Sequence, residues 1–292
     1  MSEQRSDRAR PFRALARRAS RTSYAATKRI AIMRMSRDAA PPIVIFSMGK
    51  TGSTALTKAI SDATGRRVFQ VFRLDKDALA AAERRYRATY RDRKLAASTV
   101  PFPGAEHLWE SEYLLSHAPT AAKPWTVVTS VREPVAQAVS AFFHARGQRG
   151  RLDDVDLASL RADFVAGEWI NRPLRWFDRE FAAAFGVDAY AHAFDASIGH
   201  GVITTPLVQV LIVRQENLAE AADALGQFVG LDRPLPLRTR NDASTKVYGP
   251  TYLAFERDAR LPASLLDHAY GSRYARQFYT PTEIGRYREI WG

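Results

Sequence analysis

The sequence predicts an α/β domain with three layers: a central, mostly parallel sheet flanked by helices. Three observations carry this. Short apolar runs rich in β-branched residues recur at 43–46, 67–72, 125–131 and 208–213. Alanine- and leucine-rich stretches of helical length lie between them, the alternation expected of parallel strands joined by crossover helices. The first run opens through two glycines into a helix, and such sheets bind ligands beyond the carboxyl ends of their strands.

Each element follows from local pattern. Ile43-Val44-Ile45-Phe46 is a strand buried on both faces, and Ser47 to Thr54 a loop before a helix beginning at Ala55. Arg67 to Phe72 reads as the second strand and 76–97 as a long exposed helix. Pro101 and Pro103 interrupt the chain before a helix over 106–117. Trp125 to Val131 is the third strand. Pro134, suited to a first helical turn, opens a helix to about Ala145. A loop at 147–156 precedes helices at 157–166 and 173–185. Val208 to Val213 is the fourth strand, followed by a helix at 217–229, a long proline-containing loop at 230–250 and helices to Trp291.

Charge divides the chain differently. Residues 1–40 hold eleven Arg or Lys against Glu3, Asp7 and Asp38, so this segment carries most of the net charge of +12. It reads as a basic extension, flexible or helical, closed by Pro41-Pro42. The folded domain is expected over 41–292. A basic, partly apolar extension suits an anionic membrane surface, and equally a solvated tail. With no cysteine, disulfide frameworks, thiolate metal sites and a cysteine nucleophile are excluded. No apolar run reaches the length of a membrane span and no apolar leader is written, so a cytoplasmic protein is expected, peripheral to the inner membrane face at most. The charge favours anionic partners, but no nucleic-acid motif accompanies it, and no nucleic-acid partner is expected.

The loop Gly49-Lys50-Thr51-Gly52-Ser53-Thr54 joins a strand to a helix, a physical recipe for holding phosphate. The helix start offers unpaired N–H groups and partial positive charge. The glycines permit close backbone approach, Lys50 adds a cation, and Thr51, Ser53 and Thr54 add hydroxyls. A wide nucleoside-triphosphate loop fits poorly. Val44 stands where its first glycine belongs, and the third strand ends in Arg132 rather than in an Asp for magnesium. A shorter loop fits throughout Lys50–Leu56, and here the sequence resembles the sulfotransferase family. In that family this loop holds the 5′-phosphosulfate end of 3′-phosphoadenosine 5′-phosphosulfate (PAPS).

A second motif strengthens the resemblance. Val131-Arg132-Glu133-Pro134 runs from strand to helix, and Ser140 follows Arg132 by eight residues. Ser140 then lies about 9 Å along the helix from Pro134. A guanidinium and a hydroxyl so placed can close on one phosphate. This is similar to the family's 3′-phosphate motif, with aromatics following, here Phe142-Phe143. Val208 to Leu218 resembles the late strand and acid-containing turn of sulfotransferases, and Trp176-Phe177-Asp178 with Glu180, Lys246 with Tyr248, and Arg276 to Tyr279 resemble a bacterial branch of capsular polysaccharide synthesis proteins. That branch is marked by an N-K-W-Y-S segment, of which Thr245-Lys246-Val247-Tyr248-Gly249 keeps only Lys246 and Tyr248.

The resemblance implies a sulfotransferase fold and transfer of a sulfuryl group from PAPS to a hydroxyl or amine of a carbohydrate. Lys50 would stabilise the leaving phosphate, Gly49 to Thr54 with Arg132 and Ser140 would bind PAPS, and Lys246 would lie in a loop closing over it. The general base is less determined. Relatives often carry histidines after the second strand, where this chain has Gln70-Val71-Phe72. His107 is the candidate, with Glu106, Glu110 and His144 as substitutes, and Trp176, Asp178 and Glu180 either line an acceptor groove or serve structure. No metal is implied. Two alternatives stay open: a non-catalytic protein of the same fold that binds nucleotide or glycan, and an ATP-dependent small-molecule kinase.

Overall fold

The computed structural model describes residues 24–36, 40–92, 102, 104–147, 155–237 and 248–292. These form two compact units: 41–75 with 119–292, and the described parts of 1–40 with 76–118.

The larger unit is the predicted three-layer α/β fold. Its sheet contains β1 (Ile43–Phe46), β2 (Val68–Val71), β3 (Trp125–Val131), β4 (His200–Thr204) and β5 (Val208–Arg214), in the order β2-β1-β3-β5-β4. The pairs β1–β2, β1–β3 and β3–β5 are parallel, and β4 runs antiparallel along β5. The chain leaves β1 for β2 on one side and reaches β3 on the other. The strand order therefore reverses beside β1, and the crevice such a reversal leaves at the carboxyl ends of β1 and β3 is where this architecture takes ligands.

Alternation along the strands builds both outer layers. Ile43, Ile45, Val128, Leu211 and Val213 face one way, onto Leu56, Ala59 and Ile60 of the helix Ser53–Thr64 and Leu225 of the helix Ala222–Phe228. Phe46 faces the other way, with its ring 4.8 Å from Trp176 and 5.6 Å from Phe185. Phe46 is fully buried, worth about 1.5–3 kcal/mol for such a side chain.

Two elements differ from the sequence expectation. The helix expected at 173–185 is broken: Asn171–Trp176, a π-helical turn Phe177–Phe181, then Ala182–Phe185. The wider turn lets Trp176, Phe177 and Phe181 all point inward. β4 was not expected at all, because only Ile203 of its five residues is buried and no apolar run marks it. The second strand is shorter at both ends than 67–72, and the helix read as 76–97 is described as Lys76–Asp92, its remainder lying outside the described residues.

The smaller unit is helical, built of residues 24–35, Lys76–Asp92 and Glu106–Ser116. Buried Tyr24 is its hub. Its ring meets Phe102 edge-on at 4.9 Å, and its hydroxyl accepts from Trp109 Nε1 at 3.1 Å. Lys28 lies between Glu83, at 3.1 Å, and Glu112. Part of the basic extension is thus a packed helix. Its outward residues include Arg29, Ile30, Met33 and Arg34.

Candidate functional site

The site grows from the turn after β1. Gly49, Lys50 and Gly52 all have left-handed backbones, with φ of 79°, 59° and 81°. Glycine adopts this freely, but a lysine there costs about 1–2 kcal/mol. Strain of this kind concentrates at functional sites. The helix Ser53–Thr64 then begins with no side-chain cap and no acidic residue in its first turn. Nothing in that turn competes with an incoming anion for its partial positive charge.

Hydroxyls around the turn are held in place. Thr51 is fully buried and its Oγ1 lies 2.7 Å from Ser130 Oγ on β3. Gln70, on β2, donates its amide to Ser53 Oγ at 3.0 Å and Thr54 Oγ1 at 3.3 Å. Since both hydroxyls accept there, each keeps its own proton for an oxyanion.

The turn after β3 is stitched to the same loop. Arg132 Nη1 donates to the Lys50 carbonyl at 3.4 Å, and Gln137 Nε2 donates to the Gly49 carbonyl at 3.1 Å. The backbone of Arg132 is fixed by Tyr274, whose hydroxyl accepts from its N–H at 3.1 Å and donates to its carbonyl at 2.8 Å. Glu133 caps the helix Pro134–Gly147, accepting from the N–H groups of Val135 and Ala136 at 2.8 and 2.6 Å. It also accepts from Tyr270 Oη and Trp291 Nε1. Its N–H donates to Glu216 Oε1 at 2.7 Å. Burial pushes both carboxyl groups above the usual carboxylate range, the two N–H groups oppose this at Glu133, and the Glu216 charge adds to it. Beside this turn a pocket of about 270 Å³ is lined by Arg132, Gln215, Glu216, Tyr287, Ile290 and Trp291, among others.

The two turns thus meet: Gly49 and Lys50 are joined to the turn after β3 through Gln137 and Arg132, Thr51 to β3 through Ser130, and Ser53 and Thr54 to β2 through Gln70, with Gly52 between them at the helix start. Ser140 lies buried on the helix that Glu133 caps. Phe142 and Phe143 are core residues, edge-to-face with Phe164 and Phe255 respectively. His144 is exposed in the last turn of that helix. His107 is half-buried in the first turn of the helix Glu106–Ser116, in the smaller unit, with Glu106 exposed and Glu110 half-buried. Lys246 lies outside the described residues, while Tyr248 packs on Phe143 at 6.2 Å. Asp178 is at the surface beside Arg273, 3.8 Å away. Glu180 is paired with Arg73 at 2.7 Å.

Several contributors had little or no local signature. Gln70, Ser130, Gln137 and Tyr274 act through partners that only the fold brings near, and Glu216 was marked only as the acid of the turn after the fourth predicted strand. Of the first four, Gln70 alone carried a hint, being a polar residue with apolar neighbours on both sides in a strand. Among the described residues no cluster of three or more His, Asp or Glu side chains could hold a metal ion.

No curated protein and no solved structure matches the chain. Residues 164–280 match one family, NKWYS, described as "Putative capsular polysaccharide synthesis protein". That span takes in the π-helical turn, β4, β5, Glu216 and Tyr274, and leaves the loop at 47–54 and Arg132 outside it.

Proposed function

We propose that this protein transfers a sulfuryl group from PAPS to a hydroxyl or amine of a polysaccharide acceptor. The family match over 164–280 supports a role in polysaccharide synthesis. The observation that carries the finer reading is the meeting of two anion-binding turns, with Arg132 Nη1 3.4 Å from the carbonyl of Lys50. One turn suits the 5′-phosphosulfate and the other the 3′-phosphate of the same nucleotide.

In this reading the uncapped helix start and the hydroxyls of Ser53 and Thr54 hold the 5′-phosphate. Lys50 neutralises charge that develops on the oxygen bridging sulfur and phosphorus. Such a reaction needs positioning and charge stabilisation above all. Arg132 and Ser140 grip the 3′-phosphate. The outward Arg29, Ile30, Met33 and Arg34 of the basic extension suit an anionic membrane surface.

Calorimetric titration with 3′,5′-adenosine bisphosphate, AMP and ATP tests the reading. Bisphosphate should bind most tightly. Arg132→Ala should weaken it by about 1.5–3 kcal/mol and leave AMP nearly unchanged. Equal losses for both ligands, or magnesium-dependent ATP binding stronger than bisphosphate binding, would point instead to a kinase or another nucleotide protein.

A further inference from the structure

We propose that Glu180 is the general base that deprotonates the acceptor, an assignment that rests on the sulfuryl-transfer reading above. Its position comes from the π-helical turn Phe177–Phe181. Such turns are rare and frequent at functional sites. Here the turn packs its aromatic side against the end of β1: the ring of Phe181 lies 6.4 Å from that of Phe46, the residue before the phosphate loop. Glu180 Oε1 is held by Arg73 Nη1 at 2.7 Å. Arg73 follows β2 by two residues and sits next to Phe72, whose ring would lie 3.7 Å from a Cβ placed on Gly49. Glu180 is therefore tied to the carboxyl ends of the two strands that flank the loop carrying Lys50.

The other carboxylate oxygen is the second observation. Glu180 Oε2 is buried and has no hydrogen-bond partner among the described residues. A buried carboxylate oxygen without a donor is costly, and a native structure keeps one where something else is to satisfy it. The side chain as a whole retains 15% of its exposure, and Arg73 above it 38%. Presenting that oxygen to an acceptor takes a change of side-chain rotamer, for which the remaining exposure of Glu180 and Arg73 leaves room. Trp176 Nε1, four residues earlier, is likewise buried and unpartnered among the described residues.

Burial raises the Glu180 carboxyl above the usual carboxylate range, Arg73 and Arg179 oppose this, and Asp75 adds to it. A base so tuned moves closer to neutral pH. In the step it serves, the acceptor O–H or N–H proton passes to a Glu180 carboxylate oxygen as the acceptor lone pair forms the bond to sulfur. The bond from sulfur to the bridging oxygen breaks. Its electron pair stays on the 5′-phosphate, leaving 3′,5′-adenosine bisphosphate, and Glu180 then releases its proton to water.

The test uses the full chain, PAPS and a panel of unsulfated hexosamine–uronate and neutral polysaccharides, with hydrolysis of PAPS by water measured alongside. Glu180→Gln keeps the size and an acceptor for Arg73. It should lower kcat for transfer or hydrolysis by about 10²–10⁴-fold, keep bisphosphate affinity within about twofold and abolish the acid limb of the pH–rate profile. Glu180→Asp should retain that limb at reduced rate. Unchanged turnover in Glu180→Gln overturns the assignment. So does a fall in thermal stability and nucleotide affinity together with the acid limb intact, which would mark a structural tether. Wild-type protein that binds bisphosphate but neither transfers nor hydrolyses overturns it too. Failure of wild type to bind bisphosphate at all is a different result, and it removes the sulfuryl-transfer reading itself.

Discussion

The turns at 46–54 and 130–140 and the segment 164–280 contribute to the same unit in opposite ways. The first two carry groups suited to anions: a strained lysine, an uncapped helix start and an arginine at a strand end. The segment 164–280 carries the family likeness and holds those groups still. From it come Trp176 and Phe181 against Phe46, Glu216 on the Glu133 N–H, and Tyr274 on the Arg132 backbone. Chemistry by short motif and rigidity by distant side chains are separable, and substitutions can attack each alone.

The largest effect should come where the supporting segment meets β1. Phe46→Ala removes a fully buried ring from the aromatic cluster and should cost about 3–5 kcal/mol in denaturant unfolding. A loss under 1 kcal/mol would mean that 171–185 does not depend on β1. Next is Lys50→Ala, which should lower transfer by about 10²–10³-fold while unfolding midpoints stay at the wild-type value. A large loss of stability instead would place Lys50 among the supports.

Glu216→Gln addresses the buried carboxyl pair. A carboxyl group whose folded pKa is raised stabilises the fold fully below its unfolded value and loses that contribution as pH rises through the folded pKa. Wild type should therefore lose stability between the ordinary glutamate value of 4.5 and the raised one. Glu216→Gln should flatten that slope by at most about 1.4 kcal/mol per pH unit. Denaturant titrations at several pH values check this, and parallel curves would show that Glu216 carries no such proton. The smallest effect is Lys50→Gly. Relief of the left-handed strain, less the greater chain entropy of glycine, should raise stability by about 0.5–1 kcal/mol while transfer is lost. If stability falls, the left-handed lysine was not strained.

The sheet was readable where burial is two-sided. Ile43–Phe46, Trp125–Val131 and Val208–Val213 are apolar-rich and almost wholly buried, interrupted only by small hydroxyl residues and Gln209, whereas β4 turns most of its residues to partial or full exposure and leaves no run to read. The candidate site was readable for a similar reason: glycine, lysine and hydroxyls crowd six residues, and Arg132 lies at a strand end. Glu180 showed only a weak signal, since a lone glutamate on a helical stretch looks the same whether it faces water or a buried arginine. The π-helical turn carries Phe177 and Phe181 into the aromatic core, a tertiary contact that no local pattern displays. Tyr274 and Trp291 could not be paired with the Arg132 turn by any local pattern, being 142 residues from Arg132 and 158 from Glu133.

Those separations bear on synthesis. A growing chain that has emerged only to about residue 260 already contains β1, the phosphate loop and β3, but not Tyr270, Tyr274 or Trp291. Contacts between residues so far apart are late and entropically expensive to close. The Arg132 turn is therefore among the last parts of the unit to set. A nascent chain can present the glycine-rich loop well before the Arg132 turn is braced, so the joined pair of turns waits on the helices from Ala263 to Trp291.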